Sequence, residues 1–147
     1  MELKFPPPLV MLFCGLCMGL VAWLPFGQIL RLPWLAVIVA LLAVLIGVMS
    51  VTSFKKAKTT ISPVNPEKSS SLVTSGIFGI SRNPMYLSMA LLLTALALVL
   101  GSVFAWFFVL GFILYMNRFQ IIPEERILAQ KFGEVYQAYC QQTRRWL

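Results

Sequence analysis

Histidine is absent from all 147 residues, and five acidic side chains face twelve lysines and arginines. The first absence removes any imidazole base and any histidine metal ligand. Three cysteines are too few for a disulfide framework. Cys14 and Cys17 share one apolar run, where lipid or helix packing explains them better than a metal pair, and Cys140 stands alone. Neither disulfide nor metal is expected, which suits a reducing cytoplasmic face. The chain also has no glycine-rich phosphate loop and no nucleophile elbow.

Apolar side chains are what the sequence has in excess. Hydrophobic residues make up 59% of it, mean hydropathy is +0.84 and charged residues are 12%, against about 25% in a soluble globular chain. The composition is that of an all-α integral membrane protein, one domain spanning 1–147, its core made of helix packed on helix. A formal charge of +7 fits basic clusters flanking apolar runs at an anionic bilayer surface, so the expected partner is lipid and not nucleic acid. No oligomeric state can be read from this composition.

Four spans are expected, at about 9–24, 34–54, 85–100 and 102–117. Prolines Pro6 to Pro8 precede the first and Pro25 ends it. That run is read as retained, because Ala22-Trp23-Leu24-Pro25 is a poor cleavage site for a signal peptide and the preceding segment is barely basic. Gly15 and Gly19 within it have the spacing that lets another helix approach closely. The last two runs are separated only by Gly101. They read either as an antiparallel hairpin or as one long helix with a kink.

Charge sets the expected orientation. Arg31 alone lies between the first two runs, whereas Lys4 precedes them, Lys55, Lys56, Lys58, Lys68 and Arg82 lie between the second and third, and Arg118, Arg126, Lys131, Arg144 and Arg145 follow the fourth. With four spans these basic segments share one side, which places both termini in the cytoplasm, at a bacterial inner membrane.

The polar loop 55–84 carries turn and flexible residues from Ser62 to Ser71. Leu72 to Ile80 then turn apolar again without room for a span, as an interfacial segment or as a cover over a ligand that backbone must approach closely. At the other end of the chain, Pro123-Glu124-Glu125 has the form of a helix start. Leu128, Phe132, Val135, Tyr136 and Tyr139 follow at the spacing of one face, so 123–142 is expected to be an amphipathic helix at the membrane surface, anchored by Arg144, Arg145 and Trp146.

Two polar clusters remain: Arg82, Asn83 and Tyr86 before the third run, and Asn117, Arg118, Glu124 and Glu125 after the fourth. Ordinary capping accounts for the first alone, with Asn83 as N-cap, Pro84 as first helical residue and a snorkelling Arg82. A hairpin brings both clusters to one level, where two carboxylates beside two arginines suit a zwitterionic ligand.

The ordered set Ser75-Gly76-Ile77-Phe78, Arg82-Asn83-Pro84-Met85-Tyr86, Asn117-Arg118, Pro123 to Leu128 and Lys131 to Tyr139 resembles the isoprenylcysteine carboxyl methyltransferase and phospholipid methyltransferase superfamily. The resemblance covers roughly the second half of the chain. It implies an integral-membrane enzyme that binds S-adenosylmethionine between the last two helices, the preceding loop and the C-terminal helix. Its cofactor pocket corresponds to Arg82, Asn83, Pro84, Tyr86, Glu124 and Glu125 here, with Gly76 and Asn117 beside them. On this reading Arg82, Glu125 and Arg118 take the catalytic positions, Arg126 being an equal candidate for attracting an acidic acceptor.

The family's usual histidine is Asn83 in this chain, which keeps hydrogen bonding and loses titration. The resemblance makes a lipophilic acceptor the expected substrate, first of all the carboxylate of an isoprenylcysteine-like molecule. A phospholipid or other amine is the alternative. A third reading, a non-catalytic helical scaffold or transporter subunit, predicts no cofactor affinity.

Overall fold

Proline starts three of the helices. Pro7, Pro33 and Pro84 each stand at a first helical position, where the missing N–H would have had no intrahelical partner. In the computed structural model, which describes Leu3, residues 5–56 and residues 72–147, the order is α1 (Pro7–Val21), α2 (Pro33–Lys56), a 3₁₀ turn (Gly76–Gly79), α3 (Pro84–Leu100), α4 (Val103–Met116), a π turn (Asn117–Ile121) and α5 (Ile122–Gln142). Lys4, Lys58, Lys68 and the turn residues 62–71 lie outside the described residues.

Helix α1 stops at Val21, short of the expected 24. The Gln28 amide donates to the carbonyls of Ala22 and Leu24 at 3.0 and 3.1 Å, so a side chain downstream takes up the carbonyls that further helix would have used. Of the helices, two are long and apolar enough to cross a membrane: α2, and the continuous run Val103–Gln142. At 15 and 17 residues, α1 and α3 are shorter apolar helices.

Gly101 decides between hairpin and kinked helix. Its φ of +62° ends α3 in the left-handed region, and its N–H returns to the Ala97 carbonyl. The chain then reverses within two residues, and α4 packs back along α3: Tyr86, Leu93 and Ala97 join Ala105, Phe112, Met116 and Met18 of α1 in one buried cluster. Backbone bonds from Ile29 to Gly101 and from Val103 to Gly27 fasten the loop after α1 to this turn.

The four helices therefore run up and down, with α1 against α3 and α4, and α2 against α3. Small residues line the α2 side of the last contact. Ala36, Ala43 and Ser50 are buried there, and a Cβ on Gly47 would lie 2.9 Å from the Ser88 hydroxyl, the close approach by which helices associate where lipid removes the hydrophobic drive. Leucines and aromatics point outward instead. Leu16, Leu20, Trp34, Leu41 and Phe107 are each more than 60% exposed, which suits acyl chains and not water.

Expectation and structure differ at α5. The helix itself falls where expected, Ile122–Gln142 with Pro123 and both glutamates in its first turn, but no break precedes it: α4 continues into α5 through the π turn, whose extra residue makes room for the Pro123 ring. The expected single amphipathic face is broken as well. Gly133 has non-helical angles (φ 50°, ψ −124°), and past it Val135 is 66% exposed while Tyr136 and Tyr139 are buried.

The chain thus has two ends. Arg31 is at the end of the Gly101 turn; Lys55, Lys56, Arg82, Arg118, Arg126, Lys131, Arg144 and Arg145 are at the other.

Gly101→Ala should cost about 1–3 kcal/mol, because the added Cβ would meet the Ile29 carbonyl oxygen at 2.8 Å and the Arg31 stem at 2.5 Å. Thermal unfolding in detergent reads this as a lowered midpoint. Gly111→Ala, with nothing within 4 Å, should melt at or above wild type. Equal melting of Gly101→Ala and wild type would contradict the turn as described.

Candidate active site

The hairpin returns the chain to the level of Arg82 just as it reaches Glu124 and Glu125. Tyr86, one turn into α3, donates its hydroxyl to Glu124 Oε1 at 2.7 Å. Arg82 Nη2 lies 3.0 Å from Glu125 Oε1, both side chains being mostly buried (13% and 19% exposed). The two clusters that the sequence keeps some forty residues apart are one assembly.

A third segment joins them. Arg145 grips Glu125 with a bidentate pair, Nε to Oε1 at 3.0 Å and Nη2 to Oε2 at 2.7 Å, the strong form of a charge-assisted contact. The Arg82 N–H donates to the Arg144 carbonyl at 3.0 Å, and the Asn83 side-chain amide to the Arg145 carbonyl at 3.0 Å. Trp146 Nε1 donates to Asn117 Oδ1 at 3.0 Å. Arg145 and Trp146 are therefore not outward membrane anchors. Their role was hidden because a basic, aromatic chain end has the composition of an interfacial anchor whichever way it faces.

Asn83 also departs from expectation. It occupies the N-cap position of α3 but makes no side-chain cap bond; its amide is spent on the strap instead. Pro84 is buried at the first helical position as expected. Asn117 lies in the π turn and holds Trp146.

Within Leu72 to Ile80 the 3₁₀ turn packs inward while Ile80 stays 62% exposed. Ile77 and Phe78 are buried, the Phe78 ring stands edge-on to Phe54 of α2 at 5.0 Å, and the Phe78 carbonyl accepts from the Tyr139 hydroxyl at 2.6 Å. Gly76, with φ +64°, starts this turn, and a Cβ there would come 3.4 Å from Ser53. Arg118 does not join the assembly. Its side chain is exposed on the π turn, and Arg126 is exposed one turn beyond.

The two carboxylates have unlike surroundings. Glu125 lies between two guanidinium groups. The Glu124 carboxyl is pushed up to about 8, first by burial, with the Tyr86 hydrogen bond pulling it down and the neighbouring Glu125 pushing it up further. Among the described residues, the groups that shift it most are Tyr86 and Glu125. Arg82 Nε is buried with no partner among the described residues. A buried N–H donor with no acceptor among the described residues and a carboxyl group of raised proton affinity stand in one assembly. No group of three or more potential metal ligands occurs among the described residues.

A family model described as phospholipid methyltransferase matches residues 31–135, which includes Arg82, Tyr86, Glu124 and Glu125 and stops short of Arg145. A protein of Haemophilus influenzae, described only as uncharacterized, is 52% identical over 63 residues, all of that protein and 43% of this chain. No solved structure matches.

Glu124 makes stability depend on pH with a defined sign. The folded state keeps its proton to about 8, whereas an unfolded chain releases it near 4.5. The stabilisation is complete below about 4.5 and is lost as pH rises towards 8. Melting temperature relative to Glu124→Gln should therefore fall across this window. A constant difference between the two proteins from pH 4.5 to 8 would contradict a Glu124 carboxyl desolvated in the fold.

Proposed function

The chain belongs to the phospholipid methyltransferase family, within the isoprenylcysteine carboxyl methyltransferase superfamily, and from this we propose that it is an integral-membrane, S-adenosylmethionine-dependent methyltransferase acting on a lipophilic acceptor. The observation that carries the proposal is the meeting of the two polar clusters through Tyr86–Glu124 and Arg82–Glu125. A scaffold retaining these residues for stability alone has no need of a buried, unpartnered Arg82 Nε.

The site chemistry fits the cofactor. S-adenosylmethionine carries a carboxylate and two positive centres, and the site offers an unsatisfied guanidinium donor and a carboxyl group of raised proton affinity. Arg82 would hold the anionic end, Glu124 a cationic one, and Asn83, Tyr86 and Asn117 would order the walls. Gly76 would let backbone close over the adenosyl part. When bound, the cofactor supplies an activated methyl group on a sulfonium. The protein's share is to align the acceptor and exclude water.

We place four spans in a bacterial inner membrane, with the strongly basic end of the bundle cytoplasmic. Support comes from the up-and-down order of the four helices and the isolation of Arg31 at the opposite end. The short α1 and α3 would be met by local thinning of the bilayer or by extension at their ends. Arg118, exposed near the site, would attract an acidic acceptor, as would Arg126.

An isoprenylcysteine-like carboxylate is our first acceptor. Such a group is already ionised, so attack on the methyl requires no base, and the chain has no histidine to act as one. Glu124 leaves room for the second reading, a phospholipid or other amine: its carboxyl, pushed up to about 8, would take a proton from an ammonium in the fraction of protein that holds it ionised.

Methyl-tritiated cofactor offered with prenylated cysteine and with phosphatidylethanolamine in vesicles separates these readings. Label in the lipid fraction that mild base releases supports a carboxylate acceptor; base-stable label supports nitrogen. Arg82→Ala should lower transfer roughly 10–100-fold, the loss expected for a buried charge-assisted contact. Wild-type protein that transfers no methyl group and binds no cofactor would overturn the proposal.

A further inference from the structure

The family match ends at residue 135, yet the segment beyond it closes the site. Thr143 leaves α5 in extended conformation and is buried. The next residues form a strap: Arg144 pairs with Ser81 in a short parallel bridge and accepts from the Arg82 N–H, Arg145 accepts from Asn83, and Trp146 bonds Asn117 and packs on the core. Every segment that supplies a candidate cofactor residue, except the Gly76 turn, is tied to it. Arg145 adds an ionic bond from the strap to Glu125.

That bond changes what the glutamate pair can do. Glu125 Oε1 receives Arg82 Nη2 and Arg145 Nε, and Oε2 receives Arg145 Nη2. Both oxygens are occupied, and two positive charges surround one negative. A cationic ligand approaching Glu125 meets net repulsion. Glu124, one residue earlier, accepts the neutral Tyr86 hydroxyl, and the two guanidinium groups that meet the pair, Arg82 and Arg145, both go to Glu125.

We propose that Arg145 is a positioning residue for the methyl-transfer site: it turns Glu125 into the anchor of the C-terminal strap and leaves Glu124 as the carboxylate that meets the positive charge of the cofactor. The inference rests on the function proposed above and divides its two glutamates into separate roles. Arg145 touches neither methyl donor nor acceptor. It acts through Glu125, and through the Arg82 and Asn83 backbone region that the strap pins in place.

Two readouts test it, one without ligand. Hydrogen exchange on the ligand-free protein follows the Arg82 amide, which the strap's Arg144 carbonyl accepts. Arg145→Ala and Glu125→Gln should each raise exchange there by about tenfold, the effect of losing roughly 1.4 kcal/mol of local closure, and the double variant should add little. Arg145→Lys should recover part of the protection, since lysine keeps the charge and loses the fork. Glu124→Gln should leave that amide protected.

Calorimetric titration with S-adenosylmethionine and S-adenosylhomocysteine is the second readout, because the two differ by the sulfonium charge. Arg145→Ala and Glu125→Gln should weaken both in parallel, leaving their affinity ratio at the wild-type value. Glu124→Gln should lower the ratio, by about tenfold for one charge-assisted contact. If Arg145→Ala or Glu125→Gln lowers the ratio as Glu124→Gln does, or if strap protection survives Arg145→Ala, the division of roles is overturned. Wild-type protein that binds neither ligand while the strap is protected would instead sink the proposed function.

Discussion

A chain that leaves one apolar helix at Leu100 and enters the next at Val103 has two residues in which to reverse. A glycine with φ +62° allows it, because a Cβ at that point would collide with backbone on the loop from α1. Everything at the functional end depends on this reversal. Helix α4 is held antiparallel to α3 over its full length, so the residues before α3 and those after α4 reach one level. The π turn then keeps α4 and α5 continuous while accommodating Pro123. Glu124 and Glu125 arrive facing Tyr86 and Arg82 on a rigid helix, where a pair of flexible loops would have had to be ordered first.

The site so formed holds its charges unequally. Glu125 is held between Arg82 and Arg145 with a surplus of positive charge, while the cost of desolvating Glu124 falls on its own proton equilibrium. Such a contrast between adjacent carboxylates separates a structural anchor from a group with chemistry left to perform. The missing histidine fits the same picture. Asn83 gives its amide to the strap, and among the described residues Glu124 is a group poised near neutral pH.

Much of this was legible in the residues. Pro84 marked a helix start, and Gly101 marked the joint between the last two runs, though not whether it was a turn or a kink. The two polar clusters were visible as departures from an apolar background, and their order along the chain carried the family resemblance. What sequence obscured has physical reasons. Pro123-Glu124-Glu125 has the local signature of a helix start, and only the packing of α4 determines that the helix never stopped. Leu128 to Tyr139 keep helical spacing on paper, yet Gly133 breaks the helix and turns Val135 outward. Arg145 was the largest miss. A guanidinium near a chain end reads as an anchor, and no local pattern reveals a carboxylate twenty residues earlier that claims it.

The central claim is that the joined clusters form the S-adenosylmethionine pocket. Ultraviolet cross-linking of methyl-tritiated S-adenosylmethionine to the membrane-embedded protein, followed by peptide mapping, tests it most directly. The account predicts saturable labelling, displaced by S-adenosylhomocysteine, on peptides containing Arg82 to Tyr86 or Asn117 to Glu125. Labelling that does not saturate, or saturable label confined to α1 and α2, would contradict it.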